Sequence, residues 1–377
     1  MKIAIDCKNQ ALYGGGISNW ASEVLPEWVA ACINDEVTLI TPSGNGVKSV
    51  IMTGTKTASV PWPTQLPLHL QHAIYDNLLF PLALSKIQPD LVFSPYHDIR
   101  MPRGITSVIT VHDLCYYDVP QCYPWYLRAY RLGLLRANVA RAQHIITVSN
   151  YSRERLMKVL SLPKDRISVV PNSLSNQFLL APPAQAIITT WRQDHGDAYR
   201  SNSLLLYSGG IEPRKNLPGL IAALRLLWEN GEKITLLVTG QLDQRWDLLL
   251  PEHKNYPERI RFLGRLTLEQ LRLAYEAVDA VVYPTMCEGF GRVCLEAMAC
   301  GTPLACSNLE VFREVAGDYP HYFSPLNIHD MAKAISAASG SGRQVRYQDE
   351  RFTSDATRHA FLNAMMPIIE KMRNRST

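Results

Sequence analysis

The chain has 377 residues, of which 47% are hydrophobic and 19% are charged. This length exceeds what one hydrophobic core usually supports, so two domains are expected, and the composition excludes a disordered or fibrous protein. The formal net charge of +4 is too small to indicate a nucleic-acid-binding protein by itself.

The first residues, MKIAID, predict a strand at the very start of the chain. No basic segment followed by an apolar one precedes it, so no secretory signal is expected. No apolar run reaches the length of about 18 residues that a membrane-spanning helix needs. The expected location is the cytoplasm, with peripheral contact at the inner face of the cytoplasmic membrane left open.

Short apolar runs alternate with helix-period segments, which predicts βα repeats, parallel sheets and an α/β fold. In the first half, strands are expected at 2–6, 37–40, 91–94, 107–111 and 144–148. Helices are expected at 18–32, 68–86, 125–142 and 151–160. These elements predict one doubly wound, Rossmann-like domain over residues 1–175.

Over residues 175–202 the regular pattern weakens into Ser, Asn, Pro and other polar residues, with Pro182 next to Pro183, which is typical of a connector and a short lead-in helix. Beyond them, strands are expected at 204–208, 234–239, 260–263, 280–283 and 303–306, with helices at 217–230, 268–277 and 292–299. They predict a second Rossmann-like domain over 176–352, followed by a helix in 353–377 that crosses back to the first domain. Ligand sites are expected in loops after the strands, and a shared ligand is expected between the two domains.

The segment Cys287–Pro303 reads CEGFGRVCLEAMACGTP and runs from a predicted strand into a helix. Its two glycines permit a tight turn, and the new helix N-terminus favours an anion such as phosphate. Glu288 and Glu296 are carboxylates, which bind sugar and ribose hydroxyls well. An ordinary turn between two solvated acids is the alternative.

This segment resembles the E-G-F-G-x-x-x-L-E-A-M-A-x-G-T-P signature of the retaining family 4 glycosyltransferases, which have the GT-B fold. The resemblance implies two Rossmann-like domains that face each other across a cleft, the first on the acceptor side and the second binding a nucleotide sugar. It implies that Glu288 contacts the donor sugar and Glu296 the ribose. Gly289, Phe290 and Gly291 would line the sugar-phosphate pocket.

Two segments of the first half also resemble this family. Gly14, Gly15 and Gly16 follow the first strand, and His112 follows the strand predicted at 107–111. Glycine loops are usually simple turns, and a lone histidine is usually structural. The resemblance implies instead that Gly15 and Gly16 approach the diphosphate or the acceptor, and that His112 orients the transferred sugar.

The first strand of the second half is followed by GGIEPRKNL, which includes Gly209, Arg214 and Lys215. A basic helix start on the surface would explain the two cations. The resemblance implies instead that Lys215 and Arg214 balance the charge of the diphosphate leaving group, with Gly209 in the donor site. Gly210 stands where the family commonly has arginine, and the EPRKNL form occurs in one branch of it.

No Asp-x-Asp metal clamp appears at a strand end, and the cysteines show no zinc-site spacing, so no metal or other cofactor is expected. The predicted helix 125–142 is rich in arginine and aromatic residues. Two interpretations stay open: a solvated face over buried aromatics, or contact of Arg128 and Arg131 with anionic headgroups or a lipid diphosphate.

The resemblance implies sugar transfer with retention, by a front-face substitution in which the departing phosphate takes the acceptor proton. The segment His112-Asp113-Leu114 together with EPRKNL resembles bacterial mannosyltransferases of O-antigen, capsule or exopolysaccharide synthesis. GDP-mannose is therefore the expected donor, and a glycan or lipid-linked saccharide the expected acceptor. A UDP-sugar donor, a sugar-nucleotide epimerase and a noncatalytic GT-B scaffold subunit remain alternatives.

Overall fold

The computed structural model describes residues 1–12, 15–44, 47–196, 203–240 and 258–376. These residues form two compact units. The first comprises Met1–Tyr117, Pro124–Ser173 and Arg351–Thr377, and the second comprises Asp118–Tyr123 and Leu174–Glu350. The short segment Asp118–Tyr123, which the sequence places within the first domain, groups with the second unit.

The first unit contains a seven-stranded parallel sheet. Its strands are β1 (Lys2–Asp6), β2 (Glu36–Ser43), β3 (Lys56–Pro61), β4 (Leu91–Ser94), β5 (Thr106–Thr110), β6 (His144–Thr147) and β7 (Ile167–Val169). Their spatial order is β3-β2-β1-β4-β5-β6-β7. The chain winds outward in both directions from β1 and β4, so the carboxyl ends of these two strands form the first switch point.

Seven α-helices lie among the described residues up to Ser173. They are α1 (Lys8–Leu12), α2 (Gly16–Ala31), α3 (Leu68–Ile74), α4 (Phe80–Ile87), α5 (Cys115–Asp118), α6 (Trp125–Arg141) and α7 (Asn150–Leu160). A π-helical turn, Tyr75–Leu79, joins α3 to α4. The helix expected at 68–86 is therefore continuous but has one locally wider turn.

The second unit contains a six-stranded parallel sheet with the order β10-β9-β8-β11-β12-β13. Its strands are β8 (Ser203–Ser208), β9 (Ile234–Thr239), β10 (Ile260–Gly264), β11 (Ala280–Tyr283), β12 (Leu304–Ser307) and β13 (His321–Phe323). Its described helices are α8 (Gln185–Gly196), α9 (Leu217–Glu229), α10 (Leu268–Ala277), α11 (Arg292–Cys300), α12 (Glu310–Ala316) and α13 (Ile328–Gly340). The carboxyl ends of β8 and β11 form the second switch point.

The C-terminal helix, α14 (Ser354–Ser376), packs into the core of the first unit. The ring centroid of Phe361 lies 5.7 Å from that of Trp28 and 5.3 Å from that of Phe93. Ile3 and Ile5 of β1 belong to the same cluster, whereas Ala4 packs into the cluster on the other face of the sheet. Both faces of the sheet are thus buried, which explains why its central strands are continuously apolar.

The sequence analysis did not predict the strands β3 and β13 or the helices α1, α5, α12 and α13. Val60 is the one buried residue of β3, so this edge strand has no apolar run, and β13 has only three residues. The helix α12 gave no recognised signal. Asn327, whose side chain accepts from the backbone N–H groups of His329 and Asp330, is a clear N-cap before α13 that was overlooked.

In the part of the chain that the structure describes, no helix has both the length and the apolar content needed to cross a bilayer.

Candidate active site

Two loops meet at the second switch point because β8 and β11 are neighbours in the sheet. One loop carries Arg214 and Lys215, and the other carries Glu288. The backbone N–H of Met286 donates to the Arg214 carbonyl at 2.8 Å and joins the loops directly. The fold thereby brings together three charged residues that the sequence analysis selected from separate motifs.

Four donors converge on one oxygen of Glu288. Its Oε1 accepts hydrogen bonds from Arg214 Nη1 at 2.8 Å, Tyr283 OH at 2.8 Å and Thr285 Oγ1 at 3.2 Å, and also from Lys215 Nζ. Lys215 Nζ donates a second hydrogen bond to Tyr283 OH at 2.8 Å. Among the described residues, no donor bonds the other oxygen, Oε2, which can therefore accept from a ligand hydroxyl.

Glu288 is held as a carboxylate. Burial by itself raises its pKa, but the charges of Lys215 and Arg214 outweigh burial and lower the pKa to about 2. Burial lowers the pKa of the Lys215 ammonium, and the carboxylate of Glu288 opposes that effect. Fixed charges of this kind can meet a charged ligand with little reorganisation.

Tyr283 and Thr285 complete this group, and the sequence analysis gave neither a role. Tyr283 is the last residue of β11, its ring centroid lies 5.0 Å from Lys215 Nζ, and it stacks on Phe312. A tyrosine at the carboxyl end of a strand was the available signal. Its importance depends on β8 being adjacent, which the local sequence does not reveal.

The turn after Glu288 leads directly into α11. Gly289 and Phe290 are buried, and Gly291 caps the helix in the left-handed region at φ 101°. A Cβ at Gly291 would lie 2.5 Å from a ring carbon of Phe312, so only glycine fits here. The Cys294 N–H donates to the Gly291 carbonyl at 3.0 Å, whereas the amides of Arg292 and Val293, the first two of α11, have no carbonyl one turn earlier in the helix to bond. Such a helix start binds anions well.

Glu296 lies one turn further along α11 and is buried. Its Oε2 accepts from Tyr275 OH at 2.8 Å, and its Oε1 lies 3.7 Å from Arg292 Nη2. Burial raises its pKa, against the opposing effects of Arg292 and Tyr275. The two predicted glutamates therefore belong to different hydrogen-bonding groups of the second unit.

Gly209 follows β8 and lies against two tyrosines. A Cβ here would be 3.2 Å from Tyr207 OH and 3.5 Å from Cε2 of Tyr283. The carbonyl of Gly210, at φ 72°, accepts from Tyr207 OH at 2.7 Å. The absence of a side chain at Gly209 thus lets the loop pass close to the second switch point.

His112 follows β5 in the first unit. Its Nε2 lies 2.9 Å from the Pro95 carbonyl, which can only accept, so Nε2 carries the proton. Burial lowers the pKa of His112, which favours a neutral ring with Nδ1 as an acceptor. The ring of Trp20 packs edge-on at 5.3 Å between centroids. A neutral, fixed imidazole can orient a sugar hydroxyl.

The glycine loop after β1 is only partly described, since Gly14 lies outside the described residues. Gly15 has φ 134° and precedes α2, and its carbonyl accepts from the Asn19 N–H at 2.9 Å. A Cβ at Gly15 or Gly16 would meet no atom within 4 Å. Backbone conformation, rather than crowding, requires glycine at Gly15.

A buried polar cluster at the first switch point was missed by the sequence analysis. Lys8 forms an ion pair with Asp76, and its backbone N–H donates to Asp6 at 2.9 Å. Ser94 Oγ donates to the other oxygen of Asp6 at 2.9 Å. Burial raises the pKa of Asp6 to about 6 and also raises that of Asp76. The pattern Asp-x-Lys after the first strand was the local signal.

The two arginines selected on α6 have partners within the first unit. Arg131 forms an ion pair with Asp98, and Arg128 Nε donates to the Tyr116 carbonyl at 3.0 Å. Both guanidinium groups therefore have partners inside the fold.

Among the residues that the structure covers, no group of three or more His, Cys, Asp and Glu side chains is arranged to hold a metal ion. Six cysteines are buried free thiols: Cys7, Cys32, Cys122, Cys294, Cys300 and Cys306.

Comparison with known proteins gives consistent matches. Residues 14–176 match Glycosyltransferase Family 4, and residues 189–351 match Glycosyl transferases group 1. O-antigen chain mannosyltransferase B of Escherichia coli is 34% identical over 270 residues, which are 68% of this chain and 69% of the relative. O-antigen chain mannosyltransferase RfbU of Salmonella typhimurium is 27% identical over 274 residues, 72% of this chain and 70% of the relative. Sucrose-phosphate synthase from Thermosynechococcus elongatus has a TM-score of 0.72 at 18% identity, with 100% of both chains covered.

Proposed function

The chain belongs to the family 4 glycosyltransferases and has their GT-B fold, and on that premise we propose that it transfers mannose from GDP-mannose with retention. The proposed acceptor is a glycan or lipid-linked saccharide of a bacterial surface polysaccharide such as O-antigen. Two relatives that align over about 70% of their length are named O-antigen chain mannosyltransferases, which supports both the sugar and the pathway.

One observation carries the proposal: Lys215, Arg214 and Tyr283 all bond a single oxygen of Glu288 at the second switch point. When GDP-mannose binds, we expect some of the N–H groups of Lys215 and Arg214 to donate hydrogen bonds to the diphosphate. The N-terminal amides of α11 add neutral donors to the same charge. Glu288 Oε2 then accepts from a mannose hydroxyl, and Glu296 accepts from the ribose.

In the proposed reaction, the bond between the anomeric carbon and the phosphate oxygen breaks as GDP departs. The acceptor hydroxyl attacks from the same face, and a departing phosphate oxygen takes its proton. Negative charge therefore grows on the diphosphate, where the two cations and the helix amides stabilise it most strongly. His112, as a neutral acceptor, orients the sugar ring and transfers no proton.

A ligand screen followed by product analysis tests this proposal. Binding to the native state raises thermal stability, so GDP and GDP-mannose should raise the melting temperature more than UDP, ADP or TDP and their sugars. With a mannose-terminated acceptor, GDP release should match the amount of new glycoside, with the α configuration of the donor kept in its NMR spectrum. Stabilisation by UDP-sugars alone would overturn the assignment of GDP-mannose as the donor. An epimerised nucleotide sugar without transfer would support an epimerase, and silence from every nucleotide would favour a noncatalytic scaffold.

Metal independence is tested in the same assay. Because we propose that Lys215, Arg214 and backbone amides meet the charge of the diphosphate, transfer should survive excess EDTA. Loss of transfer that Mg²⁺ restores would contradict this part of the proposal.

A further inference from the structure

One face of the first unit exposes apolar side chains in a regular pattern. Leu70 of α3, Leu78 of the π-helical turn and Leu82 of α4 are 42%, 53% and 49% exposed. Their spacings of eight and four residues are close to two turns and one turn of helix, so they lie along one side. Isolated exposed leucines are common, but an aligned row is typical of a helix that lies on an apolar partner.

Aromatic side chains continue this face on α6. Trp125 and Tyr126 are 79% and 63% exposed, and Tyr130 follows one turn after Tyr126. The side-chain amide of Asn77 donates to Tyr130 OH at 2.7 Å, which places Tyr130 beside the π-helical turn that carries Leu78. We call the surface formed by Leu70, Leu78, Leu82, Trp125, Tyr126 and Tyr130 the leucine–aromatic face.

Positive charge borders the leucine–aromatic face. Arg100, Arg103 and Arg141 line a pocket of about 480 Å³ together with Asn77 and Pro81. Asn77 and Pro81 precede Leu78 and Leu82 by one residue each, so the pocket adjoins the leucine row. Arg100 and Arg103 are exposed, whereas Arg141 also donates to the Met101 carbonyl.

Acidic side chains are almost missing from the same helices. The 17 residues of α6 include no Asp or Glu. Between Leu68 and Ile87 the one acidic residue is Asp76, which is buried and bound to Lys8. The face therefore combines an apolar row, interfacial aromatics and uncompensated arginines.

We propose that the leucine–aromatic face and the arginine pocket dock onto an anionic phospholipid bilayer. Leucines and Trp or Tyr rings enter the boundary between headgroups and acyl chains, while arginines bind lipid phosphates from the side. This surface is distinct from the motif residues of the candidate active site, and the inference does not depend on the donor sugar.

Vesicle co-sedimentation tests this inference with the intact chain. The probes are vesicles of phosphatidylcholine alone and vesicles with about one third phosphatidylglycerol, which supply the negative surface. The wild type should pellet with the anionic vesicles, and binding should fall as salt rises from about 0.1 to about 0.5 M. The double variants Leu78→Ser/Leu82→Ser and Arg100→Gln/Arg103→Gln should each lower the partition coefficient at least about tenfold.

Two matched variants control for loss of leucine or charge elsewhere. Leu179→Ser/Leu180→Ser removes two leucines of similar exposure from the second unit, and Lys158→Gln/Lys333→Gln removes two exposed cations. Both should bind within about twofold of wild type, since only charges near the bilayer contribute. Circular dichroism confirms that every variant is folded.

Equal binding to both kinds of vesicle, no binding to either, or unchanged binding of both test variants would overturn the inference. So would a wild-type dimer in solution that the leucine variant dissolves, because the face would then contact a second copy of the chain. Nucleotide sugars take no part in this assay, so its result is independent of the proposed function.

Discussion

Both units bury a lysine beside a carboxylate near the switch point of the sheet, but the two carboxylates are bonded differently. Lys8 follows β1 and pairs with Asp76, whereas Lys215 follows β8 and pairs with Glu288. Burial prevails at Asp76 and raises its pKa. At Glu288 the two cations prevail, and the pKa falls to about 2.

The difference shows what separates a structural ion pair from a group ready for a charged ligand. Glu288 Oε1 has donors from four side chains, so one donor can move to a ligand while the carboxylate keeps others. The two carboxylates of the first cluster are fixed mainly by Lys8 and Ser94. We infer that Lys8 stabilises the fold and that Lys215 serves the reaction.

Replacing each lysine by methionine should show the difference between the two ion pairs most clearly. Lys215→Met should lower kcat by about 10²–10³-fold, because a preorganised donor to the leaving group is lost. Its folding should change less, since Arg214 and Tyr283 still bond Glu288. Lys8→Met should lower the free energy of unfolding by about 3 kcal/mol, because Asp76 loses its buried partner.

Steady-state kinetics and urea denaturation of both variants measure these effects. If Lys8→Met were as stable as the wild type but lost as much kcat as Lys215→Met, Lys8 would take part in the reaction. Unfolding of Lys215→Met would instead make Lys215 structural.

The two glycine loops differ in crowding, and alanine substitutions should show it. Gly15→Ala adds only backbone strain, of about 1–2 kcal/mol, because a Cβ would meet open space. Gly291→Ala adds a clash with Phe312 and should cost about 3–5 kcal/mol. Urea denaturation measures both losses of stability. The double variant Gly291→Ala/Phe312→Leu should recover part of the stability that Gly291→Ala loses. Equal costs at the two positions would contradict the packing described around Gly291.

Tyr283→Phe tests the hydroxyl that joins Lys215 to Glu288. The loss of two hydrogen bonds should lower the free energy of unfolding by about 1–2 kcal/mol. It should also shift the acidic limb of the pH–kcat profile to higher pH, because the Tyr283 hydroxyl helps to lower the pKa of Glu288. Tyr322→Phe is the matched control, because its hydroxyl donates only to the backbone carbonyls of Phe312 and Gly317. An identical pH profile in both variants would leave Tyr283 with a purely structural role.

Acid should destabilise the two units in different pH windows. Burial lowers the pKa of His97 in the first unit from 6.5 to about 3. The unfolded chain therefore binds this proton first, and stability falls as pH drops from 6.5 towards 3, by at most about 1.4 kcal/mol per pH unit. In the second unit, Glu288 has the same effect between pH 4.5 and about 2. In this window the unfolded chain protonates this carboxylate first, so the free energy of unfolding falls as the pH drops.

The comparison of wild type with His97→Gln isolates the smaller of these effects. The pKa of Asp6 is raised to about 6, so between pH 6 and 3.8 this group increases stability as the pH falls and opposes the effect of His97. Only the difference between the two proteins is therefore informative. The variant should show a shallower loss of unfolding free energy between about pH 6 and 5. Equal slopes would mean that His97 titrates normally in the folded chain.

The local sequence was sufficient for the α/β class and the two sheets. Apolar strand runs mark parallel strands buried on both faces, and these runs were read correctly at β1, β4, β8 and β11. Arg214, Lys215 and Glu288 were selected because the motifs that contain them, each after such a strand, resemble those of the family 4 glycosyltransferases. Edge strand β3 was missed because its exposed faces leave no apolar run.

Tertiary structure alone decided which of these residues touch. Because β8 and β11 are neighbours in the sheet, Arg214 and Lys215 reach Glu288, which follows them by 74 and 73 positions in the chain. The same is true of the pairing of Lys8 with Asp76, 68 positions later. Sequence determines side-chain chemistry and the period of burial, whereas the charge state of a buried group depends on donors that only the order of the strands brings within reach.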